Sequence, residues 1–114
     1  MSYSTEFIEA SYNVISFNQR NAENYNLSIM VSPKENLITG FSGCNNFQYT
    51  YTLEGEKLDL GIVVTSDMYC EETKKLENEF LGQVSKSTRF AIDGDELILT
   101  NEKKEVLVKA KRID

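Results

Sequence analysis

Apolar side chains in this chain recur mainly at every second position, and that period constrains the fold more than any other feature. Alternation sends successive side chains to opposite faces of a strand, so it marks half-buried β-structure. Five such runs come first. Tyr12, Val14 and Ile15 lead into Phe17. Leu27, Ile29 and Val31 alternate with Ser28 and Met30 and stop at Ser32-Pro33. Leu37, Ile38 and Phe41 form a third run. Phe47, Tyr49, Tyr51 and Leu53 alternate with Gln48, Thr50 and Thr52. Glu54-Gly55-Glu56 then turns the chain into Leu58, Leu60, Ile62 and Val64, the returning arm of a hairpin.

The period changes once. Across residues 70–86 the apolar side chains are Leu76, Phe80, Leu81 and Val84, offsets that share one face of a helix. Glu71 and Glu72 suit the positive end of its dipole and Lys86 the negative end. Glu71 and Lys75 stand at i, i+4 spacing, and Gly82 weakens the helix by about 1 kcal/mol relative to Ala. Period two then returns. Phe90 and Ile92 precede a tight turn at Asp93-Gly94-Asp95, Leu97 and Leu99 flank Ile98, and Asn101-Glu102-Lys103-Lys104 turns into Val106 and Val108. The expected order is five strands, one helix, three strands. Eight short strands in one small domain must hide their edges, so the expectation is a mainly β protein, either a curled antiparallel sheet or a small lipocalin-like β-barrel. One amphipathic helix then plugs an open end or covers one face.

Composition excludes more functions than it suggests. The 114 residues make one domain, and 12 basic against 18 acidic residues leave a formal charge of −6. That charge repels phosphate, and the densest basic cluster is only Lys109, Lys111 and Arg112, so no nucleic-acid partner is expected. Histidine is absent, which removes the commonest general base, the Ser-His-Asp and Cys-His arrangements and most zinc sites. No stretch approaches the roughly 18 apolar residues of a membrane span. Residues 1–10 lack the basic start and apolar run of a leader, which fits a cytoplasmic chain or a mature exported one equally.

The two cysteines, Cys44 and Cys70, permit one disulfide and equally two buried thiols. The hairpin over residues 47–64 runs out and back, which brings them to the same end. Cys70 at a helix start has the position of an activated thiolate, but no histidine activates it and Glu71 and Glu72 oppose the charge. The glycines of Gly40-Phe-Ser-Gly43 read as a bulge or tight bend, with Asn45 hydrogen-bonding backbone nearby. Asp93-Gly94-Asp95-Glu96 lacks the spacing of a calcium loop and reads as a solvated turn. Tyr49 and Tyr51 are in phase with Phe47 and Leu53 and read as core. No catalytic residue, cofactor site or metal site is expected.

Residues 40–70 carry a resemblance. Gly43-Cys44-Asn45-Asn46-Phe47, a hairpin with a Gly-containing turn, and Thr65-Ser66-Asp67-Met68-Tyr69-Cys70 ahead of a helix resemble the META/HslJ domain family of small bacterial envelope proteins. The motif residues are Gly43, Cys44, Asn45, Phe47, Met68 and Cys70; Asp67 stands where the family often has Arg. The resemblance implies a domain over residues 10–114 after an N-terminal tail of residues 1–9, with a compact barrel-like fold and one helix. It also implies a periplasmic or lipid-anchored setting, links to heat stress or antibiotic resistance, and no defined activity. The resulting expectation is a non-catalytic, stress-related binding or interaction module, monomeric, with a protein or small-molecule partner. The alternative is a lipocalin-like carrier of one small apolar ligand, which needs an open barrel interior.

Overall fold

A computed structural model of the chain describes residues 8–66 and 68–113. Strand β1 (Ala10–Phe17) turns through Asn18 and Gln19, both at positive φ, into the two-residue β2 (Arg20–Asn21). Such a pair of left-handed residues matches the natural twist of a hairpin. A single 3-10 turn (Glu23–Tyr25) leads to β3 (Ser28–Ser32). Pro33 opens the loop to β4 (Leu37–Phe41), and β5 (Asn46–Glu54) and β6 (Lys57–Leu60) form a hairpin around Gly55 and Glu56. After β7 (Val64–Thr65) comes helix α1 (Lys74–Ser85), then β8 (Arg89–Asp93), β9 (Glu96–Thr100) and β10 (Val106–Arg112).

The long strands pair antiparallel in the order β1-β3-β4-β5-β6-β8-β9-β10, and β10 returns to β1. The fold is therefore a closed, lipocalin-like barrel of eight strands. β2 and β7 are short additions on β1 and β5, so strands outnumber the expected five before the helix while the barrel count stays at eight. Closure removes the sheet edges that a small β-domain would otherwise expose. The thinnest seam lies between β6 and β8. It is paired at Lys57 and Arg89 and held by Leu58 N–H to Thr88 O and Phe90 N–H to Glu56 O.

An eight-strand barrel is just wide enough for side chains to fill. Tyr12, Val14, Phe17, Ile29, Val31, Ile38, Phe47, Tyr49, Leu58, Phe90, Leu97, Leu99 and Val108 all point inward and are buried. Helix α1 plugs one end. Its Phe80 ring meets Phe17 of β1 and Phe47 of β5 edge-on, at centroid distances of 5.7 and 5.8 Å. The Tyr49 hydroxyl donates to Leu81 O and shares a 2.7 Å hydrogen bond with Ser85 Oγ. Burial pushes that phenol above its ordinary 10.0 despite the Ser85 contact, so it stays neutral and available as a donor.

Three sequence expectations are corrected. The helix starts at Lys74, so Glu71 and Glu72 lie in the turn before it and no helical i, i+4 geometry joins Glu71 to Lys75. The run from Leu58 to Val64 is not one alternating strand. β6 pairs β5 with Tyr51 opposite Leu60, but β7 pairs it with Gln48 opposite Val64, so one extra residue is inserted between them. That bulge inverts the phase. Val63 packs against the core, whereas Val64 is exposed and Ile62 is 89% exposed. A similar insertion at the start of β10 leaves Val106 outside and puts Val108 and Ala110 inside.

Candidate functional site

The turn between β4 and β5 holds Ser42, Gly43, Cys44 and Asn45, and most of the motif chemistry gathers around it. Gly43 has φ +100, a conformation side chains rarely adopt, and Leu76 of α1 and Leu27 stand just beyond where its Cβ would be. The turn closes on itself through Ser42 N–H to Asn45 O. Cys44 is joined to Cys70 by a disulfide across a sequence separation of 26, with Cα atoms 5.8 Å apart. Neither cysteine is then a thiolate.

Asn45 is buried, and its side-chain bonds are not the local ones expected of a turn residue. Its Oδ1 accepts from Ser66 Oγ and from Met68 N–H, both at 2.8 Å. Its Nδ2 donates to Met68 O and to the Glu77 carboxylate. One amide side chain thus fastens the segment before Cys70 and the helix after it to the same turn. Motif residue Met68 takes part through its peptide atoms while its side chain is 62% exposed. Phe47 is a barrel-filling ring between Tyr49 and Phe80. Asp67 lies outside the described residues.

Glu77 is the residue that motif reading missed. It is 4% exposed, deep against the barrel end. Its Oε2 accepts from Ser42 Oγ at 2.6 Å, from Asn45 N–H at 3.0 Å and from Asn45 Nδ2 at 3.1 Å. Burial pushes its carboxyl up, but the Ser42 and Asn45 hydrogen bonds, with Lys74 nearby, outweigh that and hold it below the ordinary 4.5. A signal was present: Glu77 stands three residues before Phe80 and seven before Val84, a carboxylate on the apolar face of an amphipathic helix. Such a group is found there only when it is fully hydrogen-bonded.

The acidic turn is a hairpin end, with Asp93 opposite Glu96. Lys111 stands 3.9 Å from Asp95 and Lys109 3.8 Å from Glu96. Among the described residues no group of three or more His, Cys, Asp or Glu converges as a metal site would require. Among the described residues no helix is long and apolar enough to cross a membrane.

Beside the Ser42–Asn45 turn, the outer face of β3, β4, β5 and β7 forms an open groove of about 640 Å³. Met30, Thr39, Gln48 and Val64 are successive register partners across these four strands. The bulge after Leu60 turns Val64 outward to make one wall, and Asn45 and Asn46 hold that wall through Ser66. None of the described lining residues is charged.

Barrel, plugging helix and disulfide-pinned turn define a small lipocalin-like β-barrel domain with an outward-facing groove. The META domain family model matches residues 5–113, and the chain belongs to that family. Among solved structures, it is similar to an NMR structure of a protein from Burkholderia xenovorans, at 18% identity and TM-score 0.72, covering 92% of this chain and 82% of that one. A crystal structure of a DUF4847 family protein from Bacteroides vulgatus matches at 13% identity and TM-score 0.64, covering 90% of this chain and 92% of that one. At such identities the likeness is one of fold. No curated protein matches the sequence.

Proposed function

We propose that this chain is a non-catalytic, disulfide-braced binding module of the cell envelope, active in a stress setting as a monomer, with a protein or small-molecule partner. One observation carries the reading. The polar groups around the motif turn are committed to architecture: Glu77 accepts from Ser42 and Asn45, and both cysteines are in the disulfide. The groove beside them offers no acid, base or thiol among its described lining residues. Disulfides persist in oxidising compartments, which favours the envelope over the cytoplasm.

Thiol blocking in intact cells, followed by fractionation and mass analysis, tests both parts. The expected result is an envelope pool whose cysteines react only after reduction. A cytoplasmic pool with two freely alkylated thiols overturns the reading. The carrier alternative needs room inside the barrel. Phe17, Phe80, Phe47 and Tyr49 stack edge-on through that space at 5.7–5.9 Å, so the outer groove is the better place for a ligand.

A further inference from the structure

The groove on the outer face differs from neighbouring clefts in its electrostatics. The chain carries 12 basic and 18 acidic residues, and both signs line clefts elsewhere on the described surface. One cleft holds Arg20, Glu72, Lys75 and Glu79; another holds Lys57, Asp59, Arg89 and Glu102. The larger groove has no charged residue among those described. An ionic ligand would lose its hydration there and find no counter-charge among the described lining residues, which favours a neutral occupant.

Its form and chemistry narrow the class further. The row Met30–Thr39–Gln48–Val64 crosses four neighbouring strands and spans about 14 Å at the usual strand spacing. Phe41 and Asn46, also register partners, lie one step along the strands on the same face. Neutral hydrogen-bonding side chains, Thr39, Gln48 and Asn46, therefore stand together in the groove between Met30 and Phe41 on one side and Val64 on the other. An extended polypeptide is usually captured by a free backbone edge. Here β3, β4 and β5 are each paired on both sides, and among the described strands of the groove only the two-residue β7 has a single partner, so the polar contacts fall mainly to side chains. Amides and hydroxyls at such spacing suit vicinal hydroxyl and acetamido groups, and Phe41, Met30 and Val64 suit the C–H faces of sugar rings.

We infer that this groove binds a neutral oligosaccharide, with Thr39, Asn46 and Gln48 as its hydrogen-bonding residues and Phe41 as its packing platform. The inference rests on the binding-module reading and names its ligand class. The test is a titration of the oxidised, isotope-labelled chain with the uncharged tetramer of N-acetylglucosamine, and in parallel with an uncharged glucose tetramer, followed by amide shifts. Saturable shifts are expected at β3, β4, β5 and β7 with at least one of the two sugars, including the side-chain amides of Asn46 and Gln48. The affinity should be unchanged between about 0.05 and 0.5 M salt, because no ion pair is made. Gln48→Ala and Thr39→Ala, both on the outer face, should each weaken binding about tenfold, the loss of one hydrogen bond. Glu102→Gln, in a charged cleft, should leave it unchanged.

Silence toward both tetramers at about 10 mM, where even a millimolar site would saturate, overturns the inference. So do shifts centred elsewhere, a strong salt dependence, or occupation of the groove by an uncharged peptide in place of the sugars. None of these outcomes touches the binding-module reading, which falls instead with free cytoplasmic thiols.

Discussion

Glu77 shows how one residue can join a helix to a turn 32 positions away in the chain. Its carboxylate replaces water with Ser42 and Asn45 donors, and charge-assisted bonds of this kind are stronger than neutral ones. Replacing it with Gln sets an NH2 group against the Asn45 donors or leaves one of them unpaired, and should cost about 1–3 kcal/mol in a urea titration at neutral pH. Because the folded carboxyl lies below its ordinary 4.5, its contribution is present above that value and is lost as pH falls through the folded value. Wild type should therefore lose more stability than Glu77→Gln between about pH 5 and pH 3; parallel melting-temperature profiles would remove Glu77 as an acid-sensitive group. Glycines test packing at the same scale. A Cβ on Gly40 would run into Ser28 O and the Phe47 ring, so Gly40→Ala should destabilise by about 3 kcal/mol. Among the described residues nothing lies within 4 Å of where a Cβ on Gly82 in α1 would be, and Ala there should stabilise by about 0.5–1 kcal/mol by calorimetry.

At the scale of elements, bulges decide which side chains face the core. The hydrophobic run Leu58, Leu60, Ile62, Val64 looks like one strand with one inner face. One residue inserted after Leu60 reverses it, and Gly61 N–H still reaches Thr50 O before the register changes. Two substitutions of similar chemistry should therefore differ sharply. Leu58→Ala opens the core and should cost about 2–5 kcal/mol. Ile62→Ser should stay within about 0.5 kcal/mol, because Ile62 is already in water. Equal losses in chemical denaturation would mean that the alternation runs unbroken. The same device shapes β1, where a shift between Val14 and Ser16 puts Val14 and Phe17 on the inner face three residues apart. That spacing was visible in the sequence as a break in the alternation; the insertion after Leu60 was hidden, because Ile and Val are as apolar outside as inside.

For the whole molecule, closure and crosslink act together. The disulfide closes a 26-residue separation that includes the β5–β6 hairpin, and constraining the unfolded chain over that length is worth about 3–4 kcal/mol. Reduction, or Cys44→Ser with Cys70→Ser, should lower the guanidinium midpoint by that amount and leave the far-ultraviolet circular dichroism unchanged, since the Asn45 and Glu77 bonds remain. Collapse of the β-signal would make the crosslink a condition of folding. Period-two alternation with one helical interruption determined a mainly β fold, either a curled sheet or a barrel, with eight principal strands, the two hairpin turns at Gly55 and Gly94 and most of the core, because each depends on local side-chain direction; closure by β10 on β1 came from the tertiary structure. The tertiary structure alone decided how Glu77 is satisfied, that Asn45 bonds across 20 or more positions, that Ile62 and Val64 face outward, and that a groove with no charge among its described lining residues forms across four strands. These depend on register and on which segments closure brings together, and no local pattern encodes either.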